Sequence, residues 1–408
     1  MLNKLHNSWR PLVIFILFVA MLLSLFVSRA ALSVSMGLFL TVSLLHTNIK
    51  KQVAFFFSSP LLWGMSLLFL LPLISGWWSE DADKWQEIVQ IKLPLALLPL
   101  AFAGPVYLSL KMWDWLAYIF ITLILAASIW SMLQYINSMA VVHAAYLQAK
   151  TMITPLRNDH VRFSWLVSVA VLLSVWLFMN KRKQEKTVSI ILVVIAGWLI
   201  IFLHILAART GLFSFYIMLL MFAIWLIVMK LKWQYGLSLL VLLVALPIMA
   251  WVALPTFQNR VRYIRYDFVY FKEANYLPGA NDAMRVISLK AGWSLLTQHP
   301  VAGVGFGDVL RETNAWYQAT YPQMIETDKI NPSSEWLMYG AGCGWLGFLL
   351  FSFVMLVPFF IGVQHKLLWC MLHGSAAFSF IFDIGLEVQY GVFSYAFIVL
   401  WWWKWLKR

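Results

Sequence analysis

What most constrains this chain is a succession of apolar runs, each near the length a bilayer requires, repeated along almost its whole length. A hydrocarbon core takes ~20 apolar residues per helix, and the backbone polar groups of such a segment must be satisfied within it. Measured against that length, the sequence gives about twelve transmembrane helices. They fall at 11–28, 31–47, 55–77, 91–108, 113–136, 163–180, 187–208, 211–230, 235–254, 335–362, 367–384 and 391–406. The fourth is short and carries Pro94 and Pro99. Charged residues make up only 12% of the chain, against about 25% in a soluble domain. Disorder is excluded, because it needs low hydrophobicity and high charge density. The sequence predicts an all-α, polytopic membrane protein.

The opening stretch MLNKLHNSWRPLVIFILFVAMLL resembles a signal peptide, but no small-residue cleavage site follows cleanly, so it reads as a retained first helix. Trp77, Trp78, Trp113, Trp115, Trp251, Trp401, Trp402 and Trp403 lie near predicted helix ends, as an aromatic belt would place them. Basic residues then set the orientation. Lys4 and Arg10, Lys50 and Lys51, Lys111, Lys181 to Lys183 with Lys186, Lys230 and Lys232, Lys366, and Lys404, Lys407 and Arg408 all fall on one side. The positive-inside bias makes that side cytoplasmic, with both ends of the chain inside. It also accounts for the net charge of +13 without a nucleic-acid partner. The two cysteines, Cys343 and Cys370, sit in apolar surroundings and support neither a disulfide framework nor a cysteine metal site. No metal-binding spacing such as HExxH occurs. Three divisions follow: helices over 1–254, one long, partly helical external loop over 255–334 with a helix near 282–298, and helices over 335–408.

Polar residues at membrane depth or at helix mouths are functional candidates by default, because each is expensive unless paired. Arg209 interrupts the run IFLHILAARTGLFSFYIMLL at the external surface. It could snorkel to headgroups or clamp an anion, since a guanidinium fork matches phosphate oxygens and the following helix N-terminus adds its dipole. Arg162 and Arg285 lie on the same side, and Arg260, Arg262 and Arg265 read as interfacial arginines touching lipid headgroups. His160, within RNDHVR, reads as a structural hydrogen-bonder, and the carboxylates Glu335, Asp383 and Glu387 are candidate bases if burial raises their pKa. The turn HPVAGVGFGD (299–308) has glycines that let its backbone amides approach a ligand or another helix closely. It is not a nucleotide loop, for lack of a βαβ context. GAGCGWLG (340–347) reads as a small-residue packing stripe.

AARTGL (207–212), the arginine and Gly-Trp of 285–293, LLTQHPVAGVGFGD (295–308) and NPSSEWLMYGAGCGWLGFLLF (331–351) follow one another in an order that resembles the O-antigen ligase and polymerase family. NDHVRFSWLVSVA (158–170) and GLEVQYGVFSYAF (385–397) are similar to segments of its Bacteroidetes-like members. The resemblance covers roughly the C-terminal 60% of the chain. It implies a GT-C-like fold in a bacterial inner membrane and transfer or polymerisation of a glycan from an undecaprenyl-diphosphate donor on the periplasmic face. A glycan or lipid would be the acceptor, and neither metal nor cofactor would be needed. It further implies that Arg209 and Arg285 bind the donor diphosphate, with Arg162 beside them. The family's histidine in a His-Asn pair is replaced by Ser333 and Ser334. A serine is no substitute for imidazole as a base, which leaves Glu335, His160 or Glu387 for that role and moves weight towards polymerisation. Gln389, in the last matching segment, is a further site candidate. The alternative is a secondary transporter of an anionic or glycan-related solute. Repeated halves and midplane charges would mark one, and the two halves here look dissimilar. A non-catalytic scaffold of an envelope-assembly complex is a third reading.

Overall fold

The computed structural model describes residues 9–407 apart from 149, 183, 184, 230, 231, 275, 277 and 280. Of the basic residues used for orientation, Lys4, Lys183, Lys230 and Arg408 lie outside the described residues. All regular structure among the described residues is helical. The first group comprises α1 (Arg10–Val27), α2 (Arg29–Leu44), α3 (Ile49–Ser58), α4 (Pro60–Ser75), α5 (Ala82–Lys92), α6 (Pro94–Ala103), α7 (Leu110–Asn137) and α8 (Met139–Tyr146). After a turn at Pro155–Asn158 come α9 (His160–Lys181), α10 (Lys186–Leu206), α11 (Arg209–Val228) and α12 (Trp233–Ala253). The long loop holds α13 (Pro255–Ala274), α14 (Asp282–Gln298) and α15 (Val309–Thr320), and the chain continues through α16 (Glu335–Leu356), α17 (Lys366–Ile381) and α18 (Gln389–Leu406).

Among the described residues, eight helical stretches are long and apolar enough to cross a membrane, with α5 and α6 taken together as one. A ninth is added if α2 and α3, bent by 112°, form one broken span. The expected twelve differ for local reasons. The 55–77 run is cut at Ser59, where Pro60 opens a new helix at its first position, the place proline favours. The 91–108 run is among the eight, with its start moved back into α5 as Ala82–Ala103, and a proline opens its second part, α6. α4 and α17 are apolar but shorter than a full span. Side-chain caps mark other starts: Ser109 accepts from the Met112 amide at 3.2 Å and Asp81 from the Lys84 amide at 2.9 Å, satisfying donors a helix start leaves open.

α18 lies at the centre of the bundle, with almost every side chain from Tyr390 to Leu406 buried. Phe397 packs on Phe18 at 5.3 Å and Phe18 on Phe39 at 4.9 Å. The expected aromatic belt is corrected here. Trp77, Trp78, Trp115 and Trp251 are exposed, but Trp113, Trp401, Trp402 and Trp403 are buried in protein, because the helix that carries three of them is an interior one. The lysine-bearing ends gather at one end of the bundle: Lys181 pairs with Asp114 at 2.9 Å, Lys404 and Lys407 lie over the Phe55 ring, and the Gln364 amide bonds Leu406 O.

The small-residue stripe of α16 serves a more specific purpose than packing. The helix opens at Cys343 and Gly344, where Gly344 has φ +65°. The 300–305 turn inserts there: the Val304 amide donates to Ala341 O at 2.8 Å, Gly305 to Gly342 O at 3.1 Å, and Trp345 to Pro300 O at 2.9 Å. A Cβ on Gly303 would stand 2.4 Å from Ala341 O, so only glycine permits this exchange of backbone bonds.

Candidate functional site

The site lies at the end of the bundle opposite the lysines, where α9 and α11 begin and α17 ends. α9 starts because the Asp159 carboxylate accepts from the Arg162 amide at 3.1 Å. Just before it, Leu156, Arg157 and Asn158 all have positive φ, near +60°, a conformation that is costly for residues with a side chain and is concentrated at functional sites. α11 starts at Arg209, after Ala207 closes α10 in a left-handed conformation. Gly211 lets α11 meet α9 backbone to backbone, since a Cβ there would fall 2.4 Å from Ser164 Cβ. Arg162 and Arg209 are thereby presented from two helices in direct contact.

The loop brings the remaining arginines to the same place. Arg285, in the first turn of α14, donates to Phe382 O at 3.1 Å. Arg209 lies within electrostatic reach of Arg285 and Arg260, and Arg285 within reach of Arg162. Arg260 donates to Lys150 O at 3.1 Å and lies over the Tyr146 ring at 5.1 Å. The expectation that Arg260 touches lipid headgroups is corrected, because it is buried within the cluster. Burial lowers the pKa of Arg285; Asp383 raises it back and Arg162 lowers it further. Burial likewise lowers that of Arg260, opposed by Tyr146 and Tyr263. Guanidiniums crowded and desolvated in this way gain from any added anion.

Carboxylates pair with the cluster and brace it. Asp282 forms an ion pair with Arg209, whose side chain keeps 29% exposure. Asp267 of α13 caps α14, accepting from the backbone amides of Asn281 at 3.1 Å and Asp282 at 2.6 Å, and the Tyr263 hydroxyl accepts from the same Asn281 amide at 2.8 Å. Burial raises the Asp267 pKa while the Ala283 and Asn281 amides lower it, and Tyr263 is pushed up to about 12, first by burial and then by Asp267.

The loop joining α17 to α18 is gripped from four elements. Arg285 takes Phe382 O; Arg162 takes Asp383 at 3.1 Å and Ile384 O at 2.9 Å. The Leu386 amide donates to the Glu335 carboxylate at the start of α16. Lys92, at the end of α5, donates to Leu386 O at 3.1 Å and pairs with Glu387 at 2.5 Å. Lys92 also lies over the rings of Tyr339 at 4.8 Å and Phe306 at 5.3 Å, which compensates a buried ammonium in part. Burial raises the Asp383 pKa and the guanidiniums of Arg162 and Arg285 lower it. Arg162, Asp383, Thr210 and Ser394 line a small cavity of about 30 Å³, room for a water but not a sugar.

The sequence candidates thus separate. Arg209, Arg285 and Arg162 come together, and His160 is half-buried within reach of Arg260 and Arg285. Glu335 and Glu387 stand in the Lys92 cluster, with Glu335 wholly buried. Ser333 bonds Ser288 at 2.9 Å and Ser334 faces Phe380 O at 3.5 Å, both buried in packing contacts. Gln389 points away, donating to Ser33 of α2 at 3.0 Å. Lys92, Asp267 and Asp282 were not among the candidates. A lysine in a largely apolar stretch was the one signal that could have found the first. Among the described residues no group of His, Cys, Asp or Glu is arranged to hold a metal ion.

The arrangement defines a helical membrane protein with an arginine-rich polar site at one end of its bundle. Residues 194–352 match the family model of O-antigen ligase, and this match supports the O-antigen ligase and polymerase family for the chain. The matched segment holds Arg209, Arg260, Arg285 and Glu335, while Lys92, Arg162 and the 382–387 loop lie outside it. No curated protein matches the chain.

Proposed function

We propose that this protein is a membrane glycosyltransferase that transfers or polymerises a glycan from an undecaprenyl-diphosphate donor on the periplasmic face of the bacterial inner membrane, without a metal. The convergence of Arg209, Arg285, Arg260 and Arg162 carries the reading. The leaving group is a diphosphate, and fixed guanidiniums stabilise the charge that develops on it as the glycosidic bond breaks. The acceptor hydroxyl attacks the anomeric carbon and loses its proton to a base. His160 suits that role best among the candidates, because it is half-buried beside the arginines. Glu335 is sealed from solvent and Glu387 is paired with Lys92. The region 255–334 acts as the external segment that closes over the donor head, and the lysine-bearing end faces the cytoplasm.

The test is a reconstitution of the purified protein with a defined undecaprenyl-diphosphate oligosaccharide, scored for polymer, for transfer to a second acceptor, or for neither. Glycan product that disappears in Arg209→Ala and Arg285→Ala, with insertion and folding intact, is the expected result. Normal product from both variants would refute the reading.

A further inference from the structure

We propose a second ligand site on the opposite half of the bundle: a groove between α9, α11 and α17 that holds one acyl chain of an anionic bilayer phospholipid, with its headgroup at His365 and Lys366. The three helices meet closely at the arginine end. Gly211 of α11 abuts Ser164 of α9, the Ser168 hydroxyl donates to Gly211 O at 2.9 Å, and the Trp165 indole donates to Ser375 of α17 at 3.3 Å. Away from that end the small contact residues give way to large ones, and the helices splay. The gap is about 520 Å³, within the range of sites that take a whole small ligand.

The lining is amphipathic along its length. Leu172, Met218 and Phe222 are among its apolar walls, whereas Asn180, Gln364, His365 and Lys366 cluster at the end farthest from the arginines. Val175 and Met179 are 36% and 48% exposed, so the groove opens sideways as well. An apolar slot closed at one end and bearing an ammonium at the other matches a single chain with a phosphate at its head. The closure at Ser164, Gly211 and Trp165 separates the groove from Arg209, so the tail of a lipid whose diphosphate sits there has no direct path between the helices into it. This site does not depend on the proposed glycosyl transfer.

The full-length protein is placed in vesicles of phosphatidylcholine and phosphatidylglycerol carrying a trace of either lipid with a photoreactive acyl chain, and adducts are mapped by mass spectrometry. Adducts should concentrate on α9 residues 171–179 and α11 residues 218–225, with phosphatidylglycerol preferred about five-fold, the value of one lysine near a charged headgroup. Leu172→Trp, which fills the slot, should lower the yield several-fold. Lys366→Gln should bring the two lipids to parity without changing the pattern. Adducts spread equally over the exposed face of α12 at Leu237 and Val241 would mean bilayer contact only and overturn the site. Displacement of phosphatidylglycerol by an undecaprenyl phosphate probe would overturn the choice of occupant.

Discussion

Lys92 and Glu387 form an ion pair of 2.5 Å across 295 positions of sequence, with the side chain of Lys92 fully buried and that of Glu387 nearly so. Replacing Lys92 by Met leaves Glu387 and Glu335 as neighbouring buried carboxylates without their cation. The expected loss of stability is about 3–5 kcal/mol. The double variant Lys92→Met with Glu387→Gln removes both charges of the pair and should recover much of that loss. Thermal unfolding in detergent of the two variants checks this, and equal loss in both would show that the pair is not coupled.

Arg285 should not tolerate lysine. Its guanidinium donates to Phe382 O and lies within electrostatic reach of Arg209, and an ammonium supplies one point charge in place of a planar fork. Glycan transfer in Arg285→Lys is expected to fall about a hundred-fold, near the cost of removing one preorganised donor. Arg260→Ala should lose activity on the same scale. Rates with the lipid-diphosphate donor decide both.

Asp282 competes with any anion for Arg209. In Asp282→Asn the guanidinium keeps its place but loses its carboxylate, so binding of a lipid-diphosphate probe should tighten. Stability should fall by about 1–3 kcal/mol, less than for a fully buried pair, since Arg209 keeps 29% side-chain exposure. Direct binding of the probe alongside a melting curve measures the two effects separately. Weaker binding would show that Asp282 orients Arg209 instead of blocking it.

Gly211→Ala tests the crossing of α9 and α11. The new methyl would meet Ser164 Cβ at 2.4 Å and the Ser164 carbonyl oxygen at 2.6 Å, so the helices must separate. Overpacking of this kind costs about 1–3 kcal/mol. Gly197→Ala, with open space around its Cβ, is the matched control and should melt like the parent. A melting point for Gly211→Ala equal to that control would deny the close approach.

His160→Ala should reduce turnover while donor binding stays unchanged, since the imidazole is proposed to take the acceptor's proton and not to hold the diphosphate. Single-turnover rates and donor binding measured on the same preparation make the comparison.

Local pattern made much of this legible from sequence. The loop helix expected near 282–298 is Asp282–Gln298, and the arginine that interrupts a long apolar run does open a helix at Arg209. The glycines of the 299–308 turn allow a close approach to a ligand or to another helix, and the helix is what they meet, in α16. Pairing over long distances was not legible. Nothing near Lys92 in sequence announces Glu387, and Arg260 resembles any interfacial arginine until Tyr146 and Lys150 are folded against it. Trp401 to Trp403 show the same limit: a tryptophan near a helix end looks the same whether the helix faces lipid or is enclosed by its neighbours.

The grip on residues 382–387 also bears on how such a chain matures. Synthesis proceeds from the N-terminus, so Lys92, Arg162, Arg209, Arg285 and Glu335 are all threaded before the short segment that Lys92, Arg162, Arg285 and Glu335 hold. Until that segment arrives, the Asp383 partner of Arg162 and the carbonyls that receive Arg162 and Arg285 are missing. A ribosome-bound intermediate would carry unlatched arginines, and competence would appear abruptly when the final hairpin docks.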